Sequence, residues 1–302
     1  MRNFFVLVVL SALFLGGCFP GLQKAKSTSN AADSVEQIRE KASLGDVSAQ
    51  FNIGVMFYEG QGVQQDYNQA AAWYGKAAEQ GDTKAQTNLG MMYEKGQGVQ
   101  QDYNQAFAWY LKAAEQGSLV AQYNLGVMYD EGRGVQQDYN QAATWYRKAA
   151  EQADAAAQFN IGVMYYEGRG VQHDYNQAVA WYRKAAEQGH AKAQFNLGVM
   201  YYEGQGVQQD YNKAVTWYRK AAEQDHAKAQ FNLGVMYKKG QGVPQDYAQA
   251  YMWVNLAAAQ GVEDAVRMRD NLVKKLTASQ IEEGQRLSRE WIAKHPQVEV
   301  TQ

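Results

Sequence analysis

The chain has 302 residues and a formal net charge of −2, with a sequence pI near 6.1. That balance argues against a dedicated nucleic-acid binder, which carries a basic face, and the length suffices to bury a sizeable core. One cysteine rules out an internal disulfide or a cysteine-rich metal site, while 28 glycines against 3 prolines point to regularly spaced helix ends.

The first element along the chain is an address. Met1-Arg2-Asn3 is a short basic start, and Phe4 to Leu15 is an uncharged apolar run of 12 residues. Such a run is too short to cross a bilayer as a helix and suits the apolar segment of an export signal. It ends in Leu15-Gly16-Gly17-Cys18, which resembles the lipobox of bacterial lipoproteins. The resemblance implies a signal peptide over 1–17 and a lipid on Cys18; a plain secretory signal with an incidental cysteine is the other reading. Phe19 follows the cysteine where Asp would retain a Gram-negative lipoprotein at the inner membrane, which implies transport to the outer membrane. Several acyl chains on one residue hold a protein to the bilayer where one alone is marginal. Residues 18–32, rich in Lys, Ser, Thr and Asn, are expected to form the lipidated cysteine and a flexible tether.

From 46 to 264 the chain aligns on itself without gaps at a stride of 36 residues. Ala49 recurs at Ala85, Ala121, Ala157, Ala193 and Ala229; Gly54 at Gly90, Gly126, Gly162, Gly198 and Gly234; Trp73 at Trp109, Trp145, Trp181, Trp217 and Trp253. A fixed period in this range is the signature of a solenoid. Within each unit the pattern predicts two helices. Helix A runs from about Val47 to Glu59, with Ala49, Ile53, Met56 and Phe57 on one stripe. Gly54 in mid-helix costs roughly 1 kcal/mol in propensity, and its six copies predict a neighbouring helix too close for a Cβ. Gly60 is expected to end the helix as a left-handed cap, with Gly62 tightening the loop. Helix B then opens at Asp66, which pairs with Gln69 as a capping box; only Asp210/Lys213 breaks that pattern. Ala70, Trp73, Tyr74, Ala77 and Ala78 form its expected buried stripe, and Gly81 closes it, with Asp225 in that place in one unit. No unit buries its aromatic stripe alone, so stability is expected from nearest-neighbour interfaces.

The segments Ala-Gln-x-Asn-Leu-Gly-x-Met-Tyr, Gly-x-Gly-Val and Trp-Tyr-x-Lys-Ala-Ala-Glu-x-Gly resemble the Sel-one-like repeat, a relative of the tetratricopeptide repeat. The resemblance implies an all-α fold: an α/α right-handed superhelical solenoid of six two-helix repeats, with helix A lining the concave side. Both ends depart from the pattern. Residues 33–45 are read as an incomplete helix B capping the N-terminal end. Over 265–296 the phase is lost, and Thr277 with Gln280 starts a capped helix through Ile281, Leu287 and Trp291 that stops near Pro296, leaving a tail at 297–302.

Catalytic chemistry is hard to find. His190 and His226 are one stride apart in the turn before helix A, where Asp82 and Ser118 stand in other units. Neighbouring repeats would separate them by roughly 10 Å, too far to share a metal, so exposed turn residues are expected and no metal or cofactor is assigned. Glu79 and its copies follow Lys76 and its copies by three positions, which suggests a solvated face with i, i+3 pairing. Gly60-x-Gly62 lies at a helix C-terminus, whose dipole repels phosphate. A cysteine-rich branch of the family has been connected with enzymatic activity; the repeats here hold no cysteine, so that association does not transfer. A repeated surface offers ladders where catalysis needs one convergent constellation, and no enzymatic activity is expected.

One ladder has the character of a binding surface. Positions 51, 55 and 58 point about 140–160° away from Ile53 at ~100° per residue, yet they are Phe51/Val55/Tyr58, Phe159/Val163/Tyr166 and Phe195/Val199/Tyr202. Tyr123/Val127 and Phe231/Val235 carry the first two, and the second unit departs most with Thr87, Met91 and Glu94. Beside them run Asn52, Asn88, Asn124, Asn160, Asn196 and Asn232. An apolar strip of that extent marks a partner, and an extended peptide would suit it; alternatively, position 51 packs against the next unit and the asparagines bond neighbouring backbone. The expectation is a non-enzymatic, envelope-anchored adaptor for envelope or secreted proteins, held to the membrane by its N-terminal lipid and taking no nucleic acid. A glycan-binding module or a surface-displayed host-interaction factor is the alternative.

Overall fold

The computed structural model describes residues 34–295; Cys18, the tether, Pro296 and the tail lie outside the described residues. Among the described residues there are fifteen helices and no strand. After α1 (Val35–Ser43) the A helices are α2 (Val47–Glu59), α4 (Thr83–Lys95), α6 (Leu119–Glu131), α8 (Ala155–Glu167), α10 (Ala191–Glu203) and α12 (Ala227–Lys239). The B helices alternate with them: α3 (Tyr67–Glu79), α5 (Tyr103–Glu115), α7 (Tyr139–Glu151), α9 (Tyr175–Glu187), α11 (Tyr211–Ala222) and α13 (Tyr247–Ala259). Two more, α14 (Glu263–Val273) and α15 (Ala278–Lys294), close the C-terminal end. From α1 to α14 each helix packs on its sequence neighbours, so the molecule is a solenoid of six helix pairs.

The caps explain why the helices begin and end where they do. The Asp46 carboxylate accepts the Ala49 N–H at 2.7 Å to open α2, and Gly60 in the left-handed region (φ 73°) closes it. The loop is then clasped back onto the helix: Gln65 Nε2 donates to the Tyr58 carbonyl at 2.8 Å, and the Asp66 N–H donates to the Phe57 carbonyl at 2.9 Å. Asp66 Oδ1 in turn accepts the N–H groups of Asn68 and Gln69. The reciprocal half of the expected capping box is not made there, and the reason is local. The Asp66 N–H is already committed to helix A, so Gln69 has no orphan donor to reach. Where the cap N–H is free of such a clasp, at Ser34/Gln37 and Thr277/Gln280, both halves form.

Three ladders run along the repeats. Tyr74, Tyr110, Tyr146, Tyr182 and Tyr218 are the largest fully buried side chains, and each ring lies over the mid-helix glycine of its own repeat. A Cβ on Gly126 would stand 2.4 Å from Tyr146 Cδ1, which is why the helix accepts the propensity cost of glycine. A second ladder is made of amides. Gln188 Nε2 donates to Gln158 Oε1 at 2.8 Å, and Gln158 Nε2 donates to the Ala150 carbonyl at 3.1 Å, tying the ends of α9 and α7 through α8. The clasp is made in all six repeats, from Gln80/Gln50/Ala42 to Gln260/Gln230/Ala222. Buried polar groups that are fully paired cost little, while an unmade bond there costs about 1–3 kcal/mol, so these glutamines fix the register between repeats. In the third ladder, on the outer side of helix B, Lys76, Lys112, Lys148, Lys184 and Lys220 lie over the rings of Trp73, Trp109, Trp145, Trp181 and Trp217 at 3.9–4.5 Å. The lysine's favoured neighbour is therefore the tryptophan three residues before it, rather than the glutamate three residues after it, because the ring attracts the ammonium while the stem covers its face.

Position 81 needs φ near +90°, and glycine supplies it at Gly81, Gly117, Gly189 and Gly261. Asp225 (φ 60°) and also Ala153 (φ 67°) hold the left-handed conformation without that freedom. The side chain of Asp tolerates it better than that of Ala. Replacing Ala153 with glycine is expected to stabilise the chain by about 1 kcal/mol, seen as a raised urea midpoint at unchanged slope.

The ends are sealed differently. At the N-terminus α1 stands in for a helix B, with Ala42 buried against α2 and Arg39 over the Phe57 ring at 5.9 Å. At the other end α15 lies along α13, brought close by Gly284, whose Cβ would sit 3.0 Å from the Ala248 carbonyl. Trp291 meets Trp253 edge-on at 6.2 Å.

Candidate functional site

The residues of the sequence-derived strip lie together on the A helices, packed on one side and open on the other. Position 51 faces the core tyrosine of its own repeat: ring centroids are 5.8 Å apart for Phe51–Tyr74 and 5.9 Å for Tyr123–Tyr146, Phe159–Tyr182 and Phe195–Tyr218. Phe159 and Phe195 also stack on the caps of the next A helices, His190 and His226, at 4.8 and 4.7 Å. Phe51 and Val55 are buried, whereas Tyr58, Tyr123, Phe159, Val163, Tyr166, Phe195, Val199, Tyr202 and Phe231 are half-buried. The position-58 tyrosines pair with the first residue of helix B, Tyr58–Tyr67 at 5.0 Å, Tyr166–Tyr175 at 5.2 Å and Tyr202–Tyr211 at 5.3 Å.

The asparagines occupy another environment. Asn88, Asn124, Asn160, Asn196 and Asn232 lie beside the hydroxyls of Tyr74, Tyr110, Tyr146, Tyr182 and Tyr218 in the preceding repeat. Burial pushes these phenols well above their ordinary pKa, and the neighbouring amide offsets part of that. The contact falls short of a well-aligned hydrogen bond at the hydroxyls of Tyr74, Tyr146 and Tyr182. Asn88 and Asn124 are buried, and Asn52, Asn160, Asn196 and Asn232 half-buried.

The second and third repeats are closed by charge. Thr87 and Met91 are buried, and Glu94 accepts from the Tyr110 hydroxyl at 2.8 Å. Arg133 of the next loop pairs with Glu94 at 3.3 Å and with Glu131, its guanidinium 5.7 Å above the Tyr103 ring. One stride on, Arg169 pairs with Asp130 at 3.8 Å and with Glu167, 5.3 Å above the Tyr139 ring. Burial pushes the Asp130 carboxyl up and Arg169 draws it back. Burial pulls Arg169 down, but Glu167 and Asp130 more than offset that, so it stands above the usual arginine value. These arginines were missed in the sequence, although a signal was present. Where position 58 changes from Tyr to an acid, the residue 39 places later changes from Gln to Arg. With Tyr retained, Tyr58 instead donates to Gln97 Oε1 at 2.9 Å.

His190 and His226 are half-buried helix caps, which corrects the expectation of exposed turn residues. Each Nδ1 accepts a backbone N–H, from Ala193 and Ala229, at 3.2 Å. Each imidazole also stacks on the phenylalanine of the preceding helix A, a contact that Asp at this position does not make. Among the described residues no group of three or more His, Cys, Asp or Glu is placed to hold a metal, and no helix is long and apolar enough to cross a membrane.

A family profile described as the Sel1 repeat matches residues 47–82, 83–118, 119–154, 155–190, 191–226 and 227–262. The chain belongs to the Sel1 repeat family. The family boundaries start each Sel1 repeat at the first residue of helix A and end it on the cap of the next one. A Sel1 repeat protein from Oxalobacter formigenes is similar at 35% identity, over 75% of this chain and 97% of that one, with a TM-score of 0.62. The protective antigen c5321, found in uropathogenic Escherichia coli strains, is 29% identical over 86% of each chain, with a TM-score of 0.39. The immunity protein Pa5087 from Pseudomonas aeruginosa is 23% identical over 70% of this chain and 81% of that one, with a TM-score of 0.39. No curated protein matches. Sel1 repeats generally serve as non-catalytic scaffolds for protein–protein interaction.

Proposed function

We propose that this Sel1 repeat chain is a non-enzymatic adaptor, anchored through a lipid on Cys18 to the outer membrane of a bacterial envelope, that holds envelope or secreted proteins on its helix A face. The observation that carries the reading is the half-open strip of repeats 4 and 5, Phe159–Val163–Tyr166 and Phe195–Val199–Tyr202, two apolar rows one stride apart with Phe231 following. Aromatic side chains with one face packed and one edge open are pre-ordered, so a partner loses little further side-chain entropy in binding them. Repeats 2 and 3 offer less, because Thr87 and Met91 are buried and Glu94 and Asp130 are tied up in ion pairs. The partner is expected to engage the C-terminal half of the solenoid.

A photo-cross-linking amino acid at Tyr166 or Tyr202 in the native envelope is expected to capture protein, while one at the exposed helix B residues Thr144 or Thr216 captures none. Phe159→Ser/Phe195→Ser/Phe231→Ser should weaken capture; because those rings also pack on tyrosine and histidine, Tyr166→Ser/Tyr202→Ser serves as the milder variant. Cys18→Ala is expected to leave the membrane fraction. Equal capture from both faces would overturn the assignment of the face. Glycan in place of protein on Tyr166 would overturn the partner class.

A further inference from the structure

We infer that Glu203, at the end of α10 and close to Tyr166 and Tyr202, is a cation subsite that takes an arginine side chain of the partner. The inference rests on the helix A reading above and adds the chemistry of the partner to it.

The chain itself demonstrates twice what this position holds. In repeats 3 and 4 the carboxylate at the end of helix A, Glu131 or Glu167, binds the guanidinium two residues on, Arg133 or Arg169, which lies above the first tyrosine of the preceding helix B, Tyr103 or Tyr139. Repeat 5 keeps the carboxylate as Glu203 and the ring as Tyr175, but the arginine is replaced by Gln205. Among the described residues no cation pairs with Glu203, and Gln205 Oε1 is buried without a hydrogen-bond partner. Both groups are acceptors, so what satisfies them must bring hydrogen-bond donors, and the negative charge of Glu203 favours a cationic one.

The second acid of repeats 2 and 3 is also altered here. Where Glu94 and Asp130 stand, repeat 4 has Tyr166, whose ring meets Tyr175 at 5.2 Å. An incoming guanidinium would therefore meet one carboxylate and aromatic faces, a combination that attracts a planar cation and lets it keep donating in its own plane. Burial raises the Glu203 carboxyl above its ordinary value with no cation to draw it back, and burial raises Tyr166 to about 12, with Tyr175 and then Glu203 adding to it. Repeat 6 lacks the feature, with Lys239 at the carboxylate position, and in repeat 1 Gln61 itself donates to Glu59. Repeat 5 thus combines a half-buried carboxylate, a tyrosine face and an unmet acceptor with no internal cation.

The test is a titration of the isotope-labelled full-length chain with N-acetyl-arginine amide, followed by NMR, beside its neutral isostere N-acetyl-citrulline amide. Saturable shifts confined to Glu203, Gln205, Tyr166 and Tyr175 are expected with the arginine compound alone. Glu203→Gln should raise the Kd about tenfold or more. Gln205→Arg, which rebuilds the arrangement of repeats 3 and 4, should abolish the shifts because the site is filled from within. Absence of saturable shifts, equal response to citrulline, or unchanged binding in Gln205→Arg would each overturn the inference. Cross-linking from Tyr166 separates the two proposals: capture of protein with no response to the arginine probe sinks this subsite alone, whereas probe binding without capture sinks the adaptor reading.

Discussion

Gly170→Ala is expected to destabilise the chain by about 3 kcal/mol or more, against about 1 kcal/mol for Gly189→Ala. Both glycines have positive φ, 64° and 90°, so both substitutions carry the left-handed cost. They differ in their surroundings. A Cβ on Gly170 would lie 2.0 Å from the Tyr139 carbonyl oxygen and 2.3 Å from its carbon, in the first turn of the previous helix B, while a Cβ on Gly189 meets nothing within 4 Å. Backbone cannot rotate aside as a side chain can, so the loop of repeat 4 has to lift off α7. Because a solenoid is stabilised by its nearest-neighbour interfaces, the loss should fall on the junction between repeats 3 and 4. Equilibrium urea unfolding should show a lower midpoint and a broadened or divided transition. If Gly170→Ala proves no worse than Gly189→Ala, the close approach is not what holds the two repeats together.

The second large effect is a loss of stability on acidification that resides in two histidines. Burial, with Lys192 or Lys228 adding to it, lowers His190 and His226 to about 4. The cap bond gives the same direction: a protonated Nδ1 can no longer accept the Ala193 or Ala229 N–H, and it places a positive charge at a helix N-terminus. The folded state therefore binds protons less readily than the unfolded chain, whose histidines titrate near 6.5. The contribution is complete above pH 6.5, is lost as the pH falls from 6.5 to 4, and changes no further below that. It amounts to on the order of 2 kcal/mol per histidine once residual solvation of the rings is allowed for. The check is the difference in unfolding free energy between the natural chain and His190→Ser/His226→Ser, with Ser118 as the native precedent for serine at this cap. In that difference the opposite trend from the raised carboxyls of Asp130, Asp154 and Glu203 cancels. A difference that stays constant from pH 7 to 4 would remove the histidines as its source.

Particular residues show why some of this was legible in the sequence. A helix cap acts within three or four residues, so Asp46, Gly60 and Asp66 mark their own helix ends, and the stride of 36 multiplies each signal by six. The mid-helix Gly54 could be interpreted because its cost has to be offset by a close neighbour. What the stride could not reveal is the identity of that neighbour, Tyr74, which lies across the helix pair, or the route of the Gln50 and Gln80 amides through a third helix. The half-formed capping boxes have the same origin: the Asp66 N–H is taken by Phe57 nine residues away.

The candidate surface divides in the same manner. The sequence by itself determined a solenoid of six helix pairs, since periodicity and caps are local properties repeated in register, and it picked out the Phe/Val/Tyr strip as apolar residues opposite the core stripe. Only the tertiary structure decided how much of that strip stays open. Phe51 is buried while Phe159 is half-open, and Glu94 and Asp130 are neutralised by arginines 39 residues later, where Tyr166 and Tyr202 stand in repeats 4 and 5. The physical reason is that burial and charge compensation at position 58 depend on the loop of the following repeat, which the spacing of residues within a single repeat does not contain.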